Sequence, residues 1–239
     1  MIALIDSDIL IYRVGCVTND ESEAYATRRL QSLLDNMLTL DLQDIFEWEV
    51  YLTGKDNFRV DIAVTAPYKG NRKAEKPIHY HALRAYLVEK WDAEVIDGME
   101  ADDMLAIRQA EIGEESIIVT LDKDLDQVVG WKYNFVKKDR YYITEAEGLL
   151  KFYCQFLEGD RVDNIVGAKG IGKVKAKKLL EGHTEPEMWS LVVDELGMDR
   201  AIENGHLLYM LRSKEDSFIK HLDRQGIKHG NTRTESKGE

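Results

Sequence analysis

The sequence predicts an α/β fold: a mainly parallel sheet flanked by helices, continued by a helical C-terminal module. Three observations predict it. Short apolar runs alternate with amphipathic helical stretches through roughly the first half of the chain, the pattern of a parallel sheet with crossover helices. Acidic residues recur where those runs end. After Gly130 the pattern changes to a hairpin and then to helices.

The elements follow in order. Residues 2–5 form an apolar run ending at Asp6, a buried strand. Leu30, Leu33, Leu34, Met37 and Leu38 recur at helical spacing, so residues 23–40 form a long amphipathic helix. Residues 49–52 and 94–96 read as the second and third strands, and a helix follows over 101–112. Residues 116–121 are the clearest strand and end at Asp122. Residues 133–136 and 141–143 flank a basic turn as a hairpin. Thr144 and Glu147 form a capping box that opens a helix through Leu149, Leu150, Tyr153 and Phe156. A Gly-rich turn and a Lys-rich helix near 173–181 come next, and the tail from about residue 225 is polar and frayed. This divides the chain into a core over 1–143, a helical module over 144–224 and a tail over 225–239.

Composition bounds the function. Of 239 residues, 44% are hydrophobic and 32% charged, which suits a soluble protein with a sizeable core. No apolar run approaches the ~20 residues of a membrane helix, and the N-terminus has no basic region before its apolar stretch. Two cysteines, Cys16 and Cys154, exclude a disulfide scaffold and a Cys-rich zinc site; a reducing cytoplasm is expected. The net charge of −12 argues against nucleic acid only if the charges are evenly spread. They are not: residues 55–90 hold eight Lys and Arg against four acids, with Tyr68, Tyr80 and Tyr86 interleaved. So long an excursion from a sheet is usually either functional or disordered.

The acids mark a site. Asp6, then Glu100, Asp102 and Asp103, then Asp122 and Asp124 all follow strand-like stretches. In open α/β sheets ligands bind beyond the carboxyl ends of the strands, so these side chains should converge. Asp160 and Asp163, three apart, face one way on a helical turn and add to the set. Crowded carboxylates repel unless a cation lies among them, and oxygen-only ligands suit Mg²⁺ or Mn²⁺. Asp8, with nothing else to single it out, reads as a turn or helix-capping residue.

Gly167 to Lys173 fits GxxxxGK, but Val174 replaces the Ser or Thr of a phosphate-binding P-loop and no buried strand precedes it. The better reading is a helix–hairpin–helix-like turn whose glycines allow a close backbone approach to phosphodiester. Lys169, Lys173, Lys175, Lys177 and Lys178 would bind a DNA backbone without reading sequence.

Four strings then occur in one order: Glu100-Ala101-Asp102-Asp103, Thr120-Leu121-Asp122-Lys123-Asp124-Leu125, Gly159-Asp160-Arg161-Val162-Asp163-Asn164-Ile165, and Gly167-Ala168-Lys169-Gly170-Ile171-Gly172. Together they resemble the flap endonuclease and polymerase-I-type 5′–3′ exonuclease family, particularly its compact bacteriophage members, over about residues 1–182. Tyr68-Lys69-Gly70-Asn71-Arg72 resembles that family's arch-base string. The resemblance implies a PIN-like fold with a helical arch and a helix–three-turn–helix module. It implies two Mg²⁺ or Mn²⁺ ions, with Asp6, Glu100 and Asp102 at the first, Asp122, Asp124, Asp160 and Asp163 at the second, and Asp103 between. Lys69 and Arg72 would be catalytic cations near the scissile phosphate, with Arg59 and Lys73 as further DNA contacts. Gly167, Lys169, Gly170, Gly172, Lys173, Lys175 and Lys177 would hold duplex, around one K⁺ bound by carbonyls. One departure stands out: the family's second-strand Asp is missing, Thr53 lies nearest that place, and either Asp56 or a water is expected to replace it.

The resemblance implies a monomeric, metal-dependent nuclease, 5′–3′ exonuclease or 5′-flap endonuclease, acting on duplex or branched DNA with a free 5′ end and on no membrane, in the cytoplasm of a cell or of a viral host. The alternative is a catalytically weakened junction-binding protein of the same fold. An RNA-directed PIN nuclease is less favoured, because the lysines of the Gly-rich turn suit duplex DNA.

Overall fold

The computed structural model describes residues 1–73 and 75–230. Its centre is β1 (Ile2–Asp6), whose Ala3, Leu4 and Ile5 are fully buried. β2 (Glu47–Thr53) and β4 (Ser116–Val119) lie on either side of it, β3 (Glu94–Ile96) and β5 (Gly130–Asn134) lie outside them, and all these pairs are parallel. β6 (Asp139–Ile143) closes the far edge as an antiparallel hairpin partner of β5, giving the order β3-β2-β1-β4-β5-β6 among the described residues.

Alternation along the strands divides the core in two. Ala3, Ile5, Ile117 and Val119 face α1 (Ser7–Gly15), α2 (Glu23–Asn36) and α4 (Tyr80–Trp91), through Leu10, Ile11, Leu30, Leu34, Leu83 and Leu87. Leu4 and Ile118 face α5 (Ala101–Ile112) and a cluster that runs on without a break into the C-terminal helices. The excursion after β2 contains α3 (Phe58–Ile62) and α4 (Tyr80–Trp91), an arch-like pair of helices joined by residues 63–79. Among the described residues no helix is long and apolar enough to cross a membrane.

The C-terminal part opens with α6 (Glu145–Glu158), whose capping box is formed by Thr144 and Glu147, as the sequence indicates. A two-residue hairpin follows, β7 (Gly159–Asp160) with β8 (Ile165–Val166). Its base is closed so tightly that a Cβ on Gly159 or Gly167 would lie 2.4 Å from the other residue's backbone nitrogen. Then come α7 (Lys173–Leu180), α8 (Glu185–Leu196), α9 (Met198–Leu208) and α10 (Phe218–Arg224).

The structure corrects several boundaries. The helix expected over 23–40 ends at Asn36 and relaxes into a π turn, Met37–Asp41. The strand expected to reach residue 121 stops at Val119, because Asp6 and Asp122 both use the Thr120 hydroxyl. Residues 225–228, expected to belong to a frayed tail, are held against the body: Ile227 is buried, and the Trp189 indole donates to Lys228 O at 3.1 Å. Residues 231–239 of that tail lie outside the described residues.

At the α9–α10 contact, a Cβ on Gly205 would meet the Phe218 ring at 2.1 Å. Ala in a helix interior ordinarily stabilises by ~0.5–1 kcal/mol relative to Gly. Here overpacking should dominate, and Gly205→Ala should destabilise by about 1–3 kcal/mol. Urea unfolding checks the sign.

Candidate active site

Beyond the carboxyl ends of β1, β2 and β4 lies a cavity of about 640 Å³. Eight carboxylates line it: Asp6, Asp8, Glu100, Asp102, Asp122, Asp124, Asp160 and Asp163. Asp6 ends β1 and caps α1, accepting from Ile9 N at 3.4 Å and from the Thr120 hydroxyl at 2.7 Å. Glu100 caps α5 and Asp102 lies in its first turn, where the helix dipole favours negative charge. Asp122 follows β4 and accepts Asp124 N at 2.8 Å; Asp124 accepts from Gln155 at 2.6 Å and lies 3.6 Å from Lys151. Asp160 and Asp163 arrive on the β7–β8 hairpin, where Asp160 accepts Val162 N and Asp163 N.

The connection 63–79 brings cations to these acids. Lys69 pairs with Glu100 and lies 3.7 Å from Asp163, while Arg72 pairs with Asp163 at 2.6 Å. The Tyr68 hydroxyl is 2.9 Å from Glu100 and 2.7 Å from Asp163 and can donate to only one at a time. Backbone contacts hold the strap in place: Lys69 N donates to Asp163 O, Asn164 to Pro67 O, and Asn71 to Arg161 O. Lys69 has a positive φ of 55°, a conformation a non-glycine residue keeps only where its surroundings enforce it.

The electrostatics show how crowded the site is. Burial pushes Asp6 up to about 7, with Asp8 and Asp122 adding to the rise and the Thr120 bond opposing it. Burial likewise raises Asp124 to about 7, helped by Asp122 and opposed by Lys151. Asp102 is pushed well above the carboxylate range by burial and then by Asp6 and Asp122, and burial raises Asp122 too. These groups need protons or a cation.

Among the described residues no three Asp, Glu, His or Cys side chains stand in a metal-holding arrangement. Lys69, Arg72 and Tyr68 occupy oxygens of Glu100 and Asp163, so coordination would require those side chains to exchange partners. The donor chemistry nevertheless fits a hard divalent ion, because only carboxylates are offered and their burial leaves them short of positive charge.

Two expected site residues are elsewhere. Asp103 is fully buried and does not line the cavity; it forms a two-point ion pair with Arg59 at 2.5 and 2.8 Å. Arg59, expected to contact DNA, is 1% exposed and also donates to Leu207 O and Tyr209 O. A guanidinium so engaged cannot reach a phosphate without breaking those bonds, and the helical phase of α5 turns Asp103 inward while Asp102 faces the cavity. Asp56 does not replace the missing second-strand carboxylate: it is exposed, at φ 62°, and does not line the cavity. Thr53 is a joint instead, its hydroxyl accepting Ala101 N, its carbonyl accepting from Arg84, and its N–H donating to Asp8. Asp8 is the carboxylate that sequence reasoning missed. Its signal was a second acid two residues after the strand-end Asp6, in the first turn of a helix.

Lys73, Lys169, Lys173, Lys175 and Lys177 are exposed, and α7 begins at Lys173 directly after the Gly167, Gly170 and Gly172 turn. Gly170 has φ 76°, which suits glycine there, and Lys177 lies 3.6 Å from Glu181.

Unfolded Asp titrates near 3.8, whereas Asp6 and Asp124 in the metal-free fold titrate near 7. Their contribution to stability is complete below about pH 4 and lost as pH rises through about 7. In EDTA the melting temperature should therefore fall between about pH 5 and 8, and saturating Mg²⁺ should flatten the fall. Thermal melts across that range check both.

No protein-family model matches the sequence. DNA polymerase I of Thermus aquaticus is 39% identical over 97 residues, 36% of this chain and 12% of that protein. The chain therefore spans only about an eighth of that relative. A 5′–3′ exonuclease of Buchnera aphidicola is 26% identical over 201 residues, 75% of this chain and 69% of that protein. The zinc-bound structure of T5 5′-exonuclease superposes with a TM-score of 0.63 at 18% identity, covering 87% of this chain and 88% of that one.

Proposed function

We propose that this chain, a homologue of the T5 5′-exonuclease and DNA polymerase I 5′–3′ exonuclease family, is a divalent-metal-dependent nuclease. Its substrate is duplex or flapped DNA with a free 5′ end. The observation that carries this reading is the meeting of eight carboxylates with Lys69 and Arg72 in one cavity. Residues 1–143 would form the nuclease core and 144–224 a duplex-holding module, acting as a monomer.

Asp6, Glu100 and Asp102 would hold one Mg²⁺ or Mn²⁺, and Asp122, Asp124, Asp160 and Asp163 a second. When bound, such ions supply an activated water and charge stabilisation for in-line displacement. Lys69 and Arg72 would transfer their ion pairs from Glu100 and Asp163 to the phosphate, offsetting charge that grows in the transition state. Support for this role is the strained backbone at Lys69, which the Asp163 carbonyl holds. The exposed lysines of the Gly167–Lys177 region would grip backbone phosphates on both sides of their turn. A K⁺ on the carbonyls of that turn is part of the proposal by resemblance alone.

Labelled 5′-flap and recessed-5′ duplexes, incubated with Mg²⁺ or EDTA, test the reading. Short 5′-phosphate products with Mg²⁺ alone are expected; tight binding without cleavage would favour the junction-binding alternative. Lys69→Ala should slow single-turnover cleavage by at least ~100-fold while DNA affinity changes little, because its charge is used in the transition state. Parallel rate and binding measurements decide this, and equal losses would make Lys69 a plain phosphate anchor.

The lysine patch has its own test. Replacing Lys173, Lys175 and Lys177 with Ala should flatten the log–log salt dependence of duplex binding by roughly 0.9 per lost phosphate contact. An unchanged slope would mean that these lysines face solvent only.

A further inference from the structure

The last turn of α9 and the extended stretch after it, residues 207–211, run beneath both groups of carboxylates, with Leu207, Leu208 and Met210 lining the cavity. Side chains satisfy this backbone in alternation. Arg59 donates to Leu207 O and Tyr209 O, both at 2.9 Å, and Asp103 accepts Leu211 N at 3.3 Å. On the intervening residues, Gln127 donates to Leu208 O at 2.9 Å and accepts Met210 N at 3.0 Å.

The two sets of partners belong to different parts of the site. Arg59 and Asp103 are directly behind Glu100, whose N–H donates to Asp103 at 3.2 Å. Gln127 ends the 3₁₀ turn Asp124–Gln127, which begins two residues after Asp122. Helix-terminal carbonyls need partners from outside the helix, and an extended chain presents successive residues to opposite sides. Residues 207–211 therefore have one edge on each carboxylate group. Arg59 is 1% and Gln127 4% exposed, so neither set of bonds has water beside it to take up slack.

We propose that residues 207–211 are a splint that sets the distance between the Glu100–Asp102 carboxylates and the Asp122–Asp124 carboxylates. Arg59 and Gln127 are then positioning residues for the reaction. The inference rests on the metal-dependent nuclease reading. Loosening either edge lets the carboxylates beside it leave the orientation and spacing in which they would hold an ion. Groups that orient metal ligands typically cost roughly 10–100-fold in metal affinity when removed.

The test is Mn²⁺ titration calorimetry on the DNA-free protein, together with metal-free melting temperatures, for wild type, Gln127→Met and Arg59→Lys. Gln127→Met keeps side-chain bulk while removing both bonds to the splint, and Arg59→Lys keeps the charge while losing the fork. Each folded variant should bind Mn²⁺ at least about ten-fold more weakly than wild type, whatever its melting temperature. Mn²⁺ affinities within about two-fold of wild type would overturn the splint and leave these bonds a purely structural role. Loss of fold in both variants would overturn it as well, because the bonds would then serve the fold and not the spacing. If Arg59→Lys alone fails to fold, Gln127→Met decides. Wild type that binds no Mn²⁺ would defeat the nuclease reading itself.

Discussion

Burial of crowded carboxylates, compounded by their mutual repulsion, is the constraint on which the rest of this structure depends. Eight acids share one crevice, and four of them, Asp6, Asp102, Asp122 and Asp124, are held above the usual carboxylate range chiefly by burial. No fold gathers such groups for its own stability, since each would prefer water. Several elements around the cavity supply what makes the acids tolerable. β1 and β4 share the Thr120 hydroxyl, α5 offers its N-terminus, and the strap between α3 and α4 brings Lys69, Arg72 and Tyr68. Lys69 and Arg72 bring positive charge onto Glu100 and Asp163.

The Arg59–Asp103 pair serves a different purpose, because its charges neutralise each other in the interior. A buried ion pair is weak evidence for stability, but removing one partner strands the other. Here it joins three segments distant in sequence: α3, the first turn of α5, and the end of α9. The first turn of α5 is thereby tied to α3 and to the end of α9.

Net charge is a poor guide to partners in this chain. The overall −12 includes the acids gathered in the cavity, while Lys169, Lys173, Lys175, Lys177 and Lys178 stand exposed on another surface. Separated in this way, one group suits cations and the other suits phosphates. Long-range repulsion between the protein and a polyanion is further limited by screening, over a Debye length of about 8 Å at physiological salt.

The α/β class, the strand order of appearance, the capping box at Thr144 and the acids at strand ends were all legible in the sequence. Each depends on local rules: apolar period, capping chemistry, and the tendency of parallel strands to end in a binding crevice. The cavity shows why the rest was not legible. Asp102 and Asp103 are adjacent and chemically identical, yet one faces the cavity and the other is buried against Arg59. Only the packing of α5 on the sheet, with Arg59 and Leu211 beside its first turn, decides which is which. Asp8 looked like an ordinary first-turn acid until β2 was placed beside it, and Asp56 looked like a ligand until its turn pointed it at solvent. By itself the sequence determined which side chains were available and at which strand ends they would appear. Tertiary structure decided which of them share a cavity, because a side chain's partners are set by contacts that close over more than a hundred residues, such as Leu211 with Asp103.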